Sequence, residues 1–593
     1  MYPLFRVLVL VVLVLPLVSA ALVPFAGRFA RRVSLSVAFV HLGVTVAVLI
    51  AVLASQAERV KATSALDGRE YGVVRFEPEF VPGDIGGEAV SYHRTTWSLL
   101  SLAPDADPKK PGPNVQFFVG VDGFNIWLVA LCSVMLLPAI LVSWESIKDK
   151  PASFYGWLFL LQGAAIGAFL SFDVILFYVF FELTLIPAFF LIGKWGTGSA
   201  RRDAARKFFL YTLAGSLLTL VGVIGVVVTN PLENGQVTFS LPDLMGRVQQ
   251  NLNKAFAASL AGNPAELQKL QTTQMWFFAA LMAGFMVKVP IWPFHTWLPS
   301  AYNEAPVGVT VLLSAVLAKL GTFGILRLVL PLTPDAAIQY GLPVLGTLAA
   351  FGIVYGALCA FGQRDIKLMI AYSSVSHLGF LVLGLFAFNA EGLSGAVLHM
   401  VNHGVSTGAL FALLAFMHDR YRTTDMNQYG GLMGRFPRFA FLAFVLLLAS
   451  IGLPGLNNFV SEMLMLAGLF DSRNPGIHRQ GLGVVAAVGI LLSAWYVLTM
   501  VQKVFFNAPK EPPTTGGEVA KDLNGREVFA SGSLAALCLL LGLFPQVVLD
   551  SVKPDVRVMT AIGENARDRI TGTSPMFDAP PPPANPTAPA RKR

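Results

Sequence analysis

Apolar runs of about 20 residues recur along almost the whole chain, and this recurrence constrains the fold more than any other feature. Each run is long enough for a helix to cross the hydrocarbon core of a bilayer, where backbone groups must be satisfied within helices. Charged residues make up only 13% of the 593 residues, and hydrophobic residues make up 55%. Because so few charges cannot cover several soluble domains, the sequence predicts an all-α polytopic membrane protein.

The run lengths predict about fourteen transmembrane helices. The runs lie near residues 3–24, 33–54, 121–144, 153–171, 173–193, 208–229, 274–292, 306–330, 337–361, 369–389, 393–417, 438–470, 482–506 and 528–550. Pro and Gly interrupt the seventh run at residues 288–293 and the twelfth at 452–455. Because these interruptions are five helices apart, we expect helices four to eight and nine to thirteen to form two inverted repeats, each with one broken helix. Broken helices at membrane depth line cavities, which favours a transport path.

The same patterns divide the chain into five parts. They are the N-terminal helices with an exterior loop at 1–120, the third helix and a connector at 121–152, a first repeat at 153–336 with an exterior insert at 230–273, a second repeat at 337–510, and the last helix with a Pro-rich tail at 511–593. The segment 55–115 is polar, the insert contains an amphipathic part, and the composition after residue 553 is typical of disorder. We assign no chemistry to these three segments.

Lysine and arginine concentrate in the short loops that follow odd-numbered helices, for example Arg28, Arg31 and Arg32 after the first. By the positive-inside rule these loops are cytoplasmic, which places both termini on the periplasmic side of a bacterial inner membrane. The net charge of +8 is spread over helix ends rather than gathered in one stripe, so nucleic acid is not a predicted partner. The three cysteines lie in apolar runs without the spacing of a disulfide, metal or iron–sulfur site.

Acids and bases lie inside several predicted helices, where a charge costs ~2.5–3.5 kcal/mol on insertion scales. The candidate site residues are Glu182, Lys288, Lys319, His377, His403 and Glu462. Each also has a structural interpretation: a protonated, hydrogen-bonded carboxyl group, a lysine that reaches the interface, a permanent ion pair, or a satisfied core histidine. Because each one adds insertion cost without apolar burial, the set as a whole favours proton transfer.

His399 and His403 lie four residues apart and therefore share one face of the eleventh helix. This spacing can hold a zinc ion, but zinc sites need three or four ligands. No third ligand lies near them in the sequence, so no metal is predicted.

Three longer motifs surround the candidate residues. Residues 288–299 read KVPIWPFHTWLP, residues 364–380 read RDIKLMIAYSSVSHLGF, and residues 452–462 read GLPGLNNFVSE. Together they resemble the signatures of the antiporter-like membrane subunits of respiratory complex I, NADH:quinone oxidoreductase, and most closely the subunit M branch. The resemblance covers residues 120–505 and departs from the family at His295, at Tyr302 and in the long exterior segments.

The resemblance implies a role for each candidate residue. Glu182 and Lys288 match the family's paired glutamate and lysine, Lys319 the connecting lysine, His377 and His403 the relay histidines, and Glu462 the terminal acid. It also implies proton translocation driven by quinone reduction elsewhere in the complex, with no redox cofactor in this chain and with neighbouring antiporter-like subunits and the lipid bilayer as partners. We expect the proton to pass from Lys319 through His377 and then His403 to the vicinity of Glu462. Two alternatives stay open: a subunit of a multisubunit sodium/proton antiporter, and a structural membrane scaffold.

Overall fold

The fold is helical throughout its membrane part. The computed structural model describes residues 2–64, 73–83, 94–101, 114–233, 235–471, 476–514 and 519–572, without the side chains of residues 2 and 56–64. Within these ranges, 12 helical segments are long and apolar enough to cross a membrane. They are Pro3–Ser55, Asn125–Ser146, Pro151–Leu170, Val174–Trp195, Arg201–Thr229, Ala265–Lys288, Val307–Leu332, Pro334–Phe361, Ile366–Ala387, Ala390–Tyr421, Ile477–Phe506 and Gly525–Leu543. The predicted all-helical membrane class is therefore confirmed, whereas the count of fourteen and the inverted repeats stay predictions.

The N-terminal part contains three α-helices and one small sheet. Its elements are α1 (Tyr2–Leu22), a 3₁₀ turn (Val23–Phe29), α2 (Ala30–Ser64), β1 (Ser98–Ser101), β2 (Asn114–Gln116) and α3 (Asn125–Ser146). The two strands pair antiparallel. Among the described residues, the segment 55–115 therefore contains the end of α2, which extends beyond its predicted end, and the two paired strands.

The next part of the chain carries the first helix breaks. Its elements are α4 (Pro151–Leu170), α5 (Val174–Leu183), α6 (Leu185–Trp195), α7 (Arg201–Thr229), α8 (Leu241–Leu260), α9 (Ala265–Lys288), α10 (Trp297–Glu304), α11 (Val307–Leu312), α12 (Ala318–Gly324) and α13 (Leu330–Leu332). Two π-helical turns, Leu313–Leu317 and Ile325–Val329, lie between α11 and α13. The predicted break after Lys288 is present, because α9 ends there and α10 begins at Trp297.

Local chemistry explains the boundaries of α5. Asp173 caps its N-terminus by accepting hydrogen bonds from the backbone N–H groups of Ile175 and Leu176, at 2.9 and 3.0 Å. A proline ring clashes with the carbonyl four residues earlier, so Pro187 opposes helix at Leu183. The fifth run was predicted as one helix, but it is interrupted at Thr184, next to the candidate residue Glu182.

The remaining part of the chain contains the second predicted break. Its elements are α14 (Pro334–Tyr340), a π-helical turn (Gly341–Gly346), α15 (Thr347–Phe361), α16 (Ile366–Ala387), α17 (Ala390–Tyr421), a 3₁₀ turn (Met426–Gln428), α18 (Leu432–Arg435), α19 (Pro437–Ser450), α20 (Asn457–Leu469), α21 (Ile477–Val501), a π-helical turn (Gln502–Phe506), α22 (Gly525–Leu543) and α23 (Gln546–Thr571). The chain leaves the helix between α19 and α20 through Gly452 and Gly455, with φ of 70° and 89°. These left-handed conformations favour glycine and stop the helix.

The exterior insert contains the predicted amphipathic helix, α8. Its buried Asp243 binds Arg75 and Arg94, each at 3.2 Å, and so joins the insert to the exterior segment that follows α2. Burial raises the pKa of Asp243, whereas the two guanidinium groups oppose that change. The two exterior segments therefore form one connected layer.

The prediction of disorder after residue 553 is wrong as far as Thr571, because α23 continues to that residue. The helix carries buried apolar residues such as Val552 and Met559 on one face, so it is stabilised by packing against the membrane helices. Residues 573–593, which include the Pro-rich tail, lie outside the described residues.

The helix α23 binds the ends of several other helices. Arg569 forms a buried ion pair with Asp335 of α14, with 2.6 Å between Nη2 and Oδ1. Arg567 donates to the carbonyl of Phe388, at the end of α16, at 2.7 Å. The Asp555 carboxylate accepts from the Gly123 N–H, just before α3, at 2.8 Å. We refer to α23 with these three contacts as the exterior strap.

Replacement of Arg569 by alanine is expected to loosen the exterior strap. It leaves the Asp335 carboxylate buried without its cation, and breaking a buried ion pair in this way costs about 3–5 kcal/mol. We expect amide hydrogen exchange in residues 546–571 of the assembled complex to become at least about tenfold faster. Arg206→Ala is the control, because Arg206 and its partner Asp203 are both exposed. Equal exchange in both variants would show that the ion pair does not hold α23 in place.

Candidate functional site

Lys288 lies buried at the point where α9 ends, against the break between α5 and α6. Its Nζ donates to Thr184 Oγ1 at 3.1 Å and lies 4.5 Å from the centroid of the Phe181 ring. The interruption at Thr184 therefore places a hydroxyl group against the lysine. A short polar contact and a cation–π contact hold the ammonium group without fully pairing its charge.

Glu182 interacts electrostatically with Lys288, but no ion pair joins the two side chains among the residues that the structure describes. Its Oε1 is buried and has no hydrogen-bond partner within the same part of the chain. Val179 and Ile186, one turn to either side, are 54% and 45% exposed. Glu182 therefore lies on an outward face of the chain, where lipid or another subunit would pack.

Lys319 is fully buried in α12, directly after the π-helical turn Leu313–Leu317. Its Nζ donates to the Ser314 carbonyl at 2.6 Å and lies 2.8 Å from His403 Nδ1. An ammonium group can only donate, so with Lys319 charged His403 Nδ1 is the acceptor. Tyr302 donates to the Leu313 carbonyl at 3.1 Å, at the start of the same turn. The departure from the family pattern at Tyr302 thus supports the turn that positions Lys319.

The helix that carries Lys319 packs closely against the break that carries Lys288. At Gly321, two residues after Lys319, an added Cβ would lie 2.7 Å from Val289 Cγ2 and 3.1 Å from Lys288 Cβ. A larger residue at this position would push α12 away from the end of α9. Glycine is therefore required for the close approach of the two lysine-bearing segments.

Three histidines form a triangle beside Lys319. The ring centroids of His377, His399 and His403 lie 5.3–5.9 Å apart. His377 Nδ1 lies 3.6 Å from Glu462 Oε1, whereas His403 is the histidine that contacts Lys319. His403 is therefore next to the lysine and His377 is next to the glutamate, whereas the proton path expected from the sequence places His377 before His403.

The second helix break brings Glu462 to this triangle. An added Cβ at Gly452 would collide with Glu462 Oε2, so the glycine leaves room for the carboxylate as well as turning the chain. Asn402 and Asn457 exchange side-chain-to-backbone hydrogen bonds of 2.5 and 2.8 Å across α17 and α20. The pairing of Asn402 with Asn457 was not predicted. The position of Asn457, just after the break at 452–455, could have indicated a polar contact.

Several buried polar atoms at the site have no hydrogen-bond partner among the described residues. They are Glu182 Oε1, His399 Nε2, His403 Nε2, and the Oδ1 atoms of Asn402, Asn457 and Asn458. An unpaired buried polar atom costs about 1–3 kcal/mol, and bound water relieves that cost where several polar groups converge. The site is thus suited to hold water between its acids and bases.

Two further features were not predicted. Arg327, in the second π-helical turn, is fully buried with Nη2 2.6 Å from Asp122 Oδ2, and the rings of Phe76, Phe172 and Phe323 surround its guanidinium group at 4.6–5.0 Å. Its sequence position near a helix end is instead typical of an interfacial basic residue.

The second unpredicted feature lies beside the terminal acid. Tyr496 of α21 donates a hydrogen bond of 2.7 Å to Ser373 Oγ, and Ser373 lies one helical turn before His377. Tyr496 also interacts electrostatically with Glu462. An ordinary apolar run surrounds Tyr496, so nothing in its local sequence indicates this contact.

The structure gathers all six candidate residues into two groups: Lys288 with Glu182, and Lys319 with His403, His377 and Glu462. A helical membrane protein with a row of buried acids and bases at its helix breaks is an ion-translocating protein of the antiporter-like class. The chain belongs to the NADH:quinone oxidoreductase/Mrp antiporter transmembrane family, whose model matches residues 171–488.

Individual relatives agree with this assignment. The chain is 36% identical over 487 residues to NADH-quinone oxidoreductase subunit M of Mycobacterium tuberculosis, covering 77% of this chain and 83% of the relative. It superposes on a chain of respiratory complex I from Thermus thermophilus with a TM-score of 0.72 and 28% identity, covering 94% of this chain and 99% of that one. The resemblance predicted from the motifs is confirmed.

The fold is also shared with a chain of the Mrp complex from Dietzia sp. DQ12-45-1b. That match has a TM-score of 0.67 and covers 96% of this chain and 99% of the other, but the identity is only 19%. It therefore shows a common fold and no more.

Proposed function

We propose that this chain is the proton-translocating subunit M of an NADH:quinone oxidoreductase in a bacterial inner membrane. The relatives named as subunit M support the assignment, and the observation that carries the mechanism is the buried contact between Lys319 and His403. In this proposal the chain has no redox cofactor of its own, because acids and bases such as histidine can take up and release protons without one. Neighbouring antiporter-like subunits and the bilayer are its partners.

The proposed relay begins at the Glu182–Lys288 pair. Glu182 faces outward, so a neighbouring subunit can change its separation from Lys288 and thereby the affinity of Lys288 for its proton. The proton then reaches Lys319 through water and passes to His403 at 2.8 Å. From His403 it moves to His377 and to Glu462, which is 3.6 Å from His377. This order follows the distances and replaces the order expected from the sequence.

The proposed topology completes the function. Fourteen crossings, counted by treating α1 and α2 as separate and α19 with α20 as one broken helix, put both termini on the periplasmic side. The five-part division of the chain and the two inverted repeats belong to the same proposal. The matched positions of the two helix breaks, after Lys288 and after Ser450, support the repeats.

Two other functions lead to different measurements. A subunit of a multisubunit sodium/proton antiporter would show sodium-dependent proton exchange without NADH or quinone. A structural scaffold would lose assembly when a buried charge is neutralised, while each assembled complex would still transport protons normally. The sequence identity to relatives named as subunit M favours the complex I function over the antiporter and over the scaffold.

The test is proton pumping and NADH:quinone turnover in membranes that carry Glu182→Ala or Lys288→Ala. We expect intact complex at near wild-type amounts and a sharp fall in pumping and coupled turnover, because the pair that starts the relay is broken. Glu266→Ala and Lys503→Ala are the controls, because both residues are exposed and distant from the site in the chain. Wild-type pumping in both test variants would refute the relay and favour the scaffold.

A further inference from the structure

His399 is the member of the histidine triangle that the proposed relay does not use. It is fully buried in α17, and its Nδ1 lies 3.0 Å from Ser461 Oγ of α20. The Ser461 hydroxyl hydrogen is directed to the Asn458 carbonyl, at 2.8 Å. A Ser461 hydroxyl that donates to this carbonyl accepts from His399, and in that tautomer the ring proton is on Nδ1 and the lone pair is on Nε2.

The lone pair on His399 Nε2 has no hydrogen-bond partner in the part of the chain that the structure describes. One donor atom from each of His377, His399 and Glu462 lies within 4.8 Å of the other two, and all three side chains are buried. The residues come from α16, α17 and α20, so only the folded chain brings them together. Sequence spacing offered no third ligand beside His399 and His403, whereas the fold brings His377 and Glu462 to His399.

We propose that His377, His399 and Glu462 form a binding site for a divalent transition-metal ion of the zinc type. Two imidazoles and one carboxylate are a zinc ligand set, whereas magnesium and calcium prefer oxygen ligands throughout. Zinc–nitrogen bonds of about 2.0–2.1 Å require each donor to move inward by less than about 1 Å. Ser461 fixes the orientation of the His399 ring, as hydrogen-bonded partners of zinc-binding histidines do.

The fourth ligand of this site is water. His403 is the remaining histidine of the triangle, but its Nδ1 is held by Lys319, whose positive charge opposes a bound cation. A metal ion at the site engages His377 and Glu462 and so removes both from proton transfer. This inhibitory effect rests on the proposed function, whereas binding itself does not.

The experiment measures zinc on the intact purified complex. Complex washed with a chelator is incubated with Zn²⁺ during turnover, freed of excess metal by gel filtration, and assayed for bound zinc by mass spectrometry and zinc X-ray absorption. We expect the wild-type complex to hold one more zinc ion than His399→Asn, with histidine ligands in its spectrum and at least about tenfold tighter binding. His478→Asn, which removes an exposed histidine, is the matched control.

A second variant distinguishes loss of the metal site from misfolding of His399→Asn. Glu462→Gln keeps the shape of the side chain and removes its charge, so it should also lose the extra ion. Equal zinc content in wild type, His399→Asn and Glu462→Gln would overturn the site. Pumping is measured on the same samples: inhibition that follows occupancy supports the blocking effect, and unaltered pumping in a zinc-loaded complex contradicts it. If zinc does not bind but Glu182→Ala still stops pumping, the site fails while the proposed function stands.

Discussion

Replacement of Lys319 by methionine is expected to abolish proton translocation. Lys319 is fully buried, and its Nζ lies 2.8 Å from His403 Nδ1, so the proposed relay passes through this lysine to reach the histidines. Methionine has a similar length but carries no proton. Positioned proton-transfer groups contribute about 10²–10⁴-fold to rate, so we expect pumping to fall below about a tenth of the wild-type value. The measurement is proton uptake per NADH oxidised, normalised to intact complex.

Two further variants make the Lys319 result specific. Lys319→Gln keeps a hydrogen-bond donor for Ser314 and still cannot relay a proton, so it should pump as poorly as Lys319→Met. Lys503→Met makes the same change at an exposed lysine and should pump normally. Recovery of pumping in Lys319→Gln would indicate that Lys319 acts only by hydrogen bonding and that the proton takes another route.

Replacement of Asp122 by asparagine is expected to cause the largest loss of stability. The substitution leaves the Arg327 guanidinium group buried among three aromatic rings without a counter-charge. Removing one partner of a buried ion pair costs about 3–5 kcal/mol, a large part of the stability of an ordinary domain. We expect little intact complex in membranes and a lower temperature of dissociation in detergent.

The pair is tested by a double-mutant cycle. Arg327→Met together with Asp122→Asn removes both charges and should recover much of the lost complex, because an apolar replacement of a buried pair is often tolerated. Asp203→Asn, at an exposed ion pair, should change neither the amount of intact complex nor its temperature of dissociation. If the double variant is no better than Asp122→Asn alone, the loss in Asp122→Asn does not come from the unpaired charge of Arg327.

The helices and both major breaks could be predicted from sequence because their causes are local. Apolar length specifies a membrane helix, and Pro and Gly specify where it is interrupted. The interruption at Thr184 also has a local cause, in Pro187, but the apolar run around it has no other sign of a break. The helix α23 was missed because its polar face and the nearby Pro-rich tail hide an apolar stripe that only packing reveals.

The site could be predicted as a set of residues but not as an arrangement. An acid or base inside an apolar run is conspicuous, so Lys319 and Glu462 could be selected from sequence. Which histidine contacts which partner depends on how α12, α16, α17 and α20 pack, so the contacts of His403 with Lys319 and of His377 with Glu462 could not be predicted from sequence. Arg327 was missed for a related reason, since its burial depends on rings contributed by distant parts of the chain.

The exterior strap limits how this protein can work. It fastens the Asp335 end of α14, the Phe388 end of α16 and the Gly123 start of α3 to one helix, so these ends cannot separate without breaking buried polar contacts. Many transporters expose their substrate alternately to each side by rocking one half against the other. Because α23 joins these helix ends at one surface, the ends cannot rock apart at that surface. In the proposed function, protons therefore advance through movements of side chains and water that leave these three helix ends in place.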